Sequence, residues 1–219
     1  MIARVNSAEE VFLRFNVSRE SQSRLKLYAE LLARWQKQIN IISDDSLEAL
    51  WERHIADGLQ LKAYIGEGEQ TIIDLGSGAG LPGLVLALAY PQYRAILIES
   101  NGKKAAFVSE VARQARISVK VLHERIERID SRAYRSPSPV ITARALAPLS
   151  DLLELARPWL SSGRGLFHKG RDVGRELTEA MKSWTIQYIR HPSAIDPKGT
   201  ILEILEARHR HEQPHPQRG

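Results

Sequence analysis

The sequence predicts an α/β protein: a mostly parallel, doubly wound sheet of Rossmann type with a helical extension at its amino end. Two observations lead there. Beyond residue 70, short apolar runs of strand length alternate with helical stretches, the crossovers that parallel strands require. Directly after the first run stands a glycine-rich turn, Asp74 to Gly83, that opens a helix. At 219 residues, 43% apolar and 26% charged, the chain can bury a core of its own, which excludes collagen, coiled-coil rods and disordered chains.

The first 65 residues are helical in pattern. Leu25, Tyr28, Leu32, Trp35, Ile39 and Ile42 recur at steps of three and four, which predicts one buried helix face. A second helix is expected to bury Leu47, Leu50, Trp51, His54, Ile55 and Leu59 and to end near Gly66. Strands are expected at 71–75, 95–99, 119–122, 140–143 and 165–168, with helices at 82–90, 103–116, 148–160 and 171–183. Pro82 is expected at the first helical position. Two further runs, 185–191 and 201–208, have no helical pattern between them and predict an antiparallel pair at one sheet edge. The chain thus divides into a helical extension at 1–68 packed on the core, a ligand-binding domain at 69–208 and a polar tail at 209–219. That tail holds two prolines, and its His209, His211 and His215 are expected to be solvated rather than metal-bound.

The net charge of +5 is concentrated. Between Arg113 and Arg144 stand eight basic residues (113, 116, 120, 125, 128, 132, 135 and 144) against three acidic ones (124, 127 and 130). Such a stripe suits a polyanionic partner such as RNA, or else a solvated helix face. The chain has no cysteine, which removes thiolate nucleophiles, Cys-ligated zinc and iron–sulfur clusters. No apolar run approaches the ~20 residues that cross a bilayer, and Glu9 and Glu10 interrupt any signal-peptide core. A cytoplasmic protein without a membrane partner is the expectation.

The turn Asp74-Leu-Gly76-Ser-Gly78-Ala-Gly80-Leu81-Pro82-Gly83 brings bare main chain close to a ligand. Gly78, Gly80 and Gly83 match the dinucleotide fingerprint, a weak signal alone. Two acids sharpen it. Asp74 ends the first strand, where a carboxylate can hold a cationic group, and Glu99 ends the second, where it can accept both hydroxyls of a ribose. Asp74 would repel a pyrophosphate, so the pair suits S-adenosyl-L-methionine better than NAD. A Walker A site is excluded because no Gly-Lys-Ser/Thr follows.

With these residues in place, the chain resembles the bacterial RsmG family, also called glucose-inhibited division protein B. The likeness covers roughly residues 25 to 170. It runs through Trp35 with Asn40; Arg53-His54-Ile55-Ala56-Asp57; the glycine turn; Glu99-Ser100-Asn101-Gly102-Lys103-Lys104; Arg125-Ile126-Glu127; Thr142-Ala143-Arg144-Ala145; and His168-Lys169-Gly170. The family often has Asp shortly before the fourth strand where this chain has Pro139, Ser at Ala143 and Thr at Ile42. The resemblance implies a Rossmann-like methyltransferase fold and adenosyl-methionine-dependent methylation of a guanine N7 in the decoding-region hairpin of 16S ribosomal RNA. Naked RNA or an assembling small subunit would be the partner, and the enzyme a monomer. It also implies that Gly76 and Leu81 from the turn, Ile126 and Glu127 at the adenine, and Arg144 line the cofactor.

The chemistry fits the residue types. Guanine N7 carries a lone pair and no proton, so transfer needs positioning rather than a base or a covalent nucleophile. No Asn/Asp-Pro-Pro-aromatic motif for amine methylation follows the fourth strand; Arg144-Ala145-Leu146 stands there. Arg144 is the first candidate on the substrate side, facing RNA or the methionine carboxylate; the alternative is a salt bridge between extension and core. Lys169 is a candidate phosphate contact or a solvated lysine. Lys103 and Lys104 begin a helix and either touch phosphate or pack there. Arg53, His54 and Asp57 share one helix face, forming a lid that meets RNA or a buried Arg–Asp pair. No metal site is expected. The competing readings are a methyltransferase on another RNA site or a small molecule, an NAD-dependent oxidoreductase, and a non-catalytic RNA-binding module.

Overall fold

The computed structural model describes residues 7–43, 47–68, 70–134 and 136–210. Its centre is a seven-stranded sheet: β1 Gln70–Leu75, β2 Tyr93–Ile98, β3 Val119–Leu122, β4 Val140–Arg144, β5 Arg164–Lys169, β6 Trp184–Pro192 and β7 Thr200–His209. The order is β3-β2-β1-β4-β5-β7-β6, with β1 to β5 parallel and β7 antiparallel to both β5 and β6. The chain winds outward from β1 to β3, then restarts at β4 on the other side of β1. The carboxyl ends of β1 and β4 therefore flank the switch point, the crevice where such sheets bind ligands.

Two layers of helix cover the sheet. On one face, Gly83–Ala89 and Gly102–Ala115 pack with the extension; on the other, Leu149–Leu160 and Val173–Ala180 pack together. One apolar cluster unites Leu25, Tyr28 and Leu32 of the extension with Leu84, Val85, Phe107 and Val108. Phe107 is central there, its ring tilted against Tyr28 at 6.0 Å and edge-on to Trp35 at 5.7 Å.

Several expected boundaries move, each for a local reason. The first long helix, Arg19–Gln36, starts on the Ser18 hydroxyl and stops at Gln36. The Gln36 amide oxygen accepts from Ile41 N and Ile42 N and its nitrogen donates to Ile42 O, so Ile39 and Ile42 lie in the turn beyond the helix. The second helix is composite: a π-helical turn Trp51–Ala56, one α turn Asp57–Leu59 and a 3-10 turn Gln60–Tyr64. Pro82 sits just before the helix, which begins at Gly83. His209 closes β7 instead of starting the tail, its ring edge-on to Trp184 at 5.2 Å. His211, His215 and the rest of 211–219 lie outside the described residues.

Phe107→Ala should cost about 3 to 5 kcal/mol, because it empties the contact between extension and core. Urea denaturation measures this, and a loss below about 1 kcal/mol would show that the extension is held by other contacts.

Candidate active site

The turn after β1 owes its shape to alternating glycines. Gly76, Gly78 and Gly80 have φ of 65°, 57° and 85°, the left-handed region that costs other residues about 1 kcal/mol or more. Ser77 locks the turn to the neighbouring strand: its N–H donates to Ile98 O at 3.0 Å and its hydroxyl to Asp74 O at 3.1 Å. Gly83 is glycine for a different reason, since a Cβ there would stand 2.6 Å from both Asp74 Cβ and Leu97 Cδ2.

Asp74 lies beneath this turn, not in the crevice, which corrects the expectation that it faces a cationic group. It is fully buried, with Oδ1 accepting from the Thr142 hydroxyl at 2.7 Å and Oδ2 from Gly83 N at 3.2 Å. Burial pushes its pKa up to about 6 despite those bonds. Its role is to join β1, β4 and the start of the Gly83–Ala89 helix.

Glu99 is the carboxylate at the crevice. It is 8% exposed, and its oxygens accept from Gly78 N at 2.8 Å and Asn101 N at 2.7 Å. A carboxylate has about four acceptor positions, so two remain for a ligand's hydroxyls. Gly78 leaves open space, with only Gly76 O at 3.9 Å from a hypothetical Cβ. Ile126, half-buried, and Glu127, exposed, stand in the short turn Ile126–Arg128 after β3. Gly80 packs against Leu84, and Leu81 is buried under the turn. This set suits a phosphate-free nucleoside cofactor: carboxylate acceptors, an apolar half-buried side chain, and no Lys or Arg from 74 to 83.

Across the switch point, Ala145 adopts φ 51° and sends Leu146 over Gly76, where any added Cβ would meet Leu146 Cδ1 at 2.5 Å. Arg144 is engaged by the extension. Its Nη1 donates to Arg53 O at 2.8 Å and to Asp57 Oδ2 at 3.0 Å, while Nη2 donates to His54 Nδ1. The structure thus realises the salt bridge between extension and core, with His54 in the same node. The π-helical turn makes this possible. Asp57 N–H bonds Glu52 O, five residues back, so it does not occupy Arg53 O, which receives Arg144.

Because a guanidinium only donates, His54 Nδ1 must accept, and its proton sits on Nε2, which is buried without a partner. Burial, reinforced by Arg144, drives the His54 pKa down to about 4. His168 Nε2 is 2.8 Å from Asp57 O. A cavity of about 480 Å³ opens here, lined by Asp57, Arg144, Leu146, His168 and Lys169 among others.

Lys169 is neither solvated nor free for phosphate. Its side chain is 7% exposed and its ammonium bonds Glu176 at 2.6 Å and Ala147 O at 3.0 Å, while Glu176 also accepts from Leu149 N. This pair fixes the loop that carries Leu146. Lys103 and Lys104 give their backbone N–H groups to the Asn101 side chain, an ordinary helix cap. Sequence reasoning missed Thr142, Glu176 and the Leu146 contact; only Asn101, directly before a helical run, carried a readable cap signal.

The family model described as "GidB: rRNA small subunit methyltransferase G" matches residues 21–202. A relative from Paramagnetospirillum magneticum, named ribosomal RNA small subunit methyltransferase G, is 44% identical over 94% of this chain and 98% of its own. One of the same name from Rhodospirillum centenum is 46% identical over 88% and 87%. Among solved structures, fibrillarin in a Nop5p complex aligns with TM-score 0.53 and 14% identity over 68% of this chain and 79% of its own. An MtNAS variant in complex with S-adenosylmethionine aligns with TM-score 0.51 and 15% identity over 90% and 83%. At these identities the two structures show the shared fold.

Asp74 and His54 give opposite pH dependences. Folded Asp74 keeps its proton to about pH 6 against 3.8 unfolded, so its contribution to stability falls as pH rises through that window. Folded His54 stays neutral down to about pH 4 against 6.5 unfolded, so its contribution rises with pH. Each is worth on the order of 3 kcal/mol. Asp74→Asn should leave stability climbing from about pH 4 to 6.5, and His54→Gln should leave it declining from about pH 4 to 6. Urea titrations across this range test both, and parallel profiles for wild type and Asp74→Asn would show Asp74 ionised throughout.

Proposed function

This chain belongs to the GidB family, rRNA small subunit methyltransferase G, and we propose from that membership how its residues methylate 16S ribosomal RNA. It is an S-adenosyl-L-methionine-dependent transferase acting on N7 of a guanine, and the decoding-region hairpin is the substrate element we assign to it. The observation that supports the cofactor's place is Glu99 at the tip of β2, facing an amide-rich turn without a cation.

When bound, the cofactor supplies an electrophilic methyl group on a sulfonium. Glu99 would hold the ribose hydroxyls with its two remaining acceptor positions. Ile126 would pack on the adenine, and Glu127 would accept from its amino group. Gly78 leaves room, while Leu146 covers Gly76. The acceptor guanine would enter the 480 Å³ cavity beside Arg144. Since N7 has no proton to lose, no general base is needed there, and His54 and His168 serve the site through their hydrogen bonds to Arg144 and to Asp57 O. Arg144, clamped by Arg53 O, Asp57 and His54, supplies a fixed positive edge to that cavity and acts as a positioning residue.

Among the described residues no helix is long and apolar enough to cross a membrane. A monomer acting in the cytoplasm, on free RNA or an assembling subunit, is the setting this reading assigns.

The deciding experiment maps N7-methylguanine in 16S ribosomal RNA with and without the protein; an identical map would overturn the assignment. Glu99→Gln should weaken adenosyl-homocysteine binding by roughly 10- to 100-fold in calorimetry, the worth of charge-assisted hydrogen bonds. Unchanged affinity would place the ribose elsewhere. Arg144→Lys should lower kcat/KM by roughly 10- to 100-fold, because one ammonium cannot span the three acceptors. Undiminished turnover in a tritium-transfer assay would reduce Arg144 to scaffolding.

A further inference from the structure

At the opposite end of the sheet, where β1, β2 and β3 begin, lies a groove of about 670 Å³. Four cations line it: Arg24 from the Arg19–Gln36 helix, Arg94 in β2, Arg116 at the end of the Gly102–Ala115 helix, and Lys120 in β3. No carboxylate is among the described residues that line it. The basic stripe divides at this point. Arg113, Arg128, Arg132 and Arg144 are paired with Glu110, Glu124, Asp130 and Asp57. Arg94, Arg116 and Lys120 are exposed and have no ion pair among the described residues.

Further details mark the groove as an anion site. Arg24 reaches Glu20 through Nη2, but its Nη1 is buried without a hydrogen-bond partner. Arg116 ends its helix at φ 52°, and its exposed side chain lines the groove. The Lys120 ammonium lies 4.7 Å from the Tyr134 ring centroid, which settles the charge over the groove wall. Three cations without an ion pair among the described residues, and Arg24 beside them with its Nη1 free of the Glu20 partner, come from four different elements and exceed what one small anion would neutralise. They suit a run of phosphates.

We propose that this groove is a second contact for the substrate, holding the phosphodiester backbone of the ribosomal RNA away from the methylated base. The proposal rests on the 16S ribosomal RNA reading above. The six residues of β1 span about 20 Å between groove and crevice, so both ends are filled only by a folded RNA element that reaches around the sheet. The groove thereby selects structured RNA over a short strand that carries the target base.

The test is the full-length Arg94→Gln/Arg116→Gln/Lys120→Gln variant, three exposed positions outside the catalytic crevice. The slope of log K for 16S ribosomal RNA against log salt should become shallower by about two to three units, because each cation removed leaves about one phosphate with its counterions in place. The KM for that RNA should rise about tenfold near 0.15 M salt. Adenosyl-homocysteine affinity, kcat, and the KM for a short oligonucleotide bearing the target guanine should be unchanged. An unaltered slope and KM for 16S ribosomal RNA would overturn the groove assignment, as would guanosine monophosphate or inorganic phosphate binding there while the RNA slope stays the same. A wild-type protein that transfers no methyl group to 16S ribosomal RNA would instead sink the functional reading, a result distinguishable because it appears before any groove residue is changed.

Discussion

The carboxylate buried beneath the glycine turn is the constraint from which the crevice is built. Asp74 ties three elements at one point: the end of β1, Thr142 of β4 and the first amide of the Gly83–Ala89 helix. A buried carboxyl group with two good donors is costly to disturb, since either donor would lose its only charge-assisted partner in a dry site. Gly83 can approach it only because it has no Cβ. The loop between these anchors is left to follow its left-handed glycines, and that path presents Gly78 N to Glu99.

A second node holds the extension against the core. Arg144 collects a carbonyl, a carboxylate and an imidazole from one stretch of helix, and His168 adds a bond to the Asp57 carbonyl. Gln60 continues the seam, donating to Asp57 and accepting from Ser193 and Ala194 in the β6–β7 connection. The walls of the 480 Å³ cavity are therefore fastened to one another by polar contacts, most of them partly buried.

The sheet was legible because parallel strands are buried on both faces and appear as uninterrupted apolar runs such as Ile72 and Ile73 or Val140 and Ile141. The glycine turn was legible from spacing, and Glu99 from its place at the second strand's end. What escaped depends on partners distant in sequence. Nothing near Asp74 reveals that Thr142 and Gly83 consume its oxygens. Lys169 has no local pattern that distinguishes a buried ammonium from an exposed one, because Glu176 is brought in by the turn of the next helix. Arg53, His54 and Asp57 were recognised as a group on one helix face, but not the irregular winding that aims them at Arg144.

That winding makes the length of the segment as important as its composition. Each residue in a regular helix advances the side chains by about 100° around the axis. The π-helical turn accommodates a phase that an ordinary helix of the same span would not have, and it keeps Arg53 O and Asp57 on the side of Arg144. Shortening the stretch Trp51–Ala56 by one position would let it relax to regular winding with every side chain chemically intact, yet would swing the two acceptors on either side of the deletion out of phase. The clamp on Arg144 is thus encoded in spacing as well as in side chains, and insertion or deletion can tune it with every clamping residue kept.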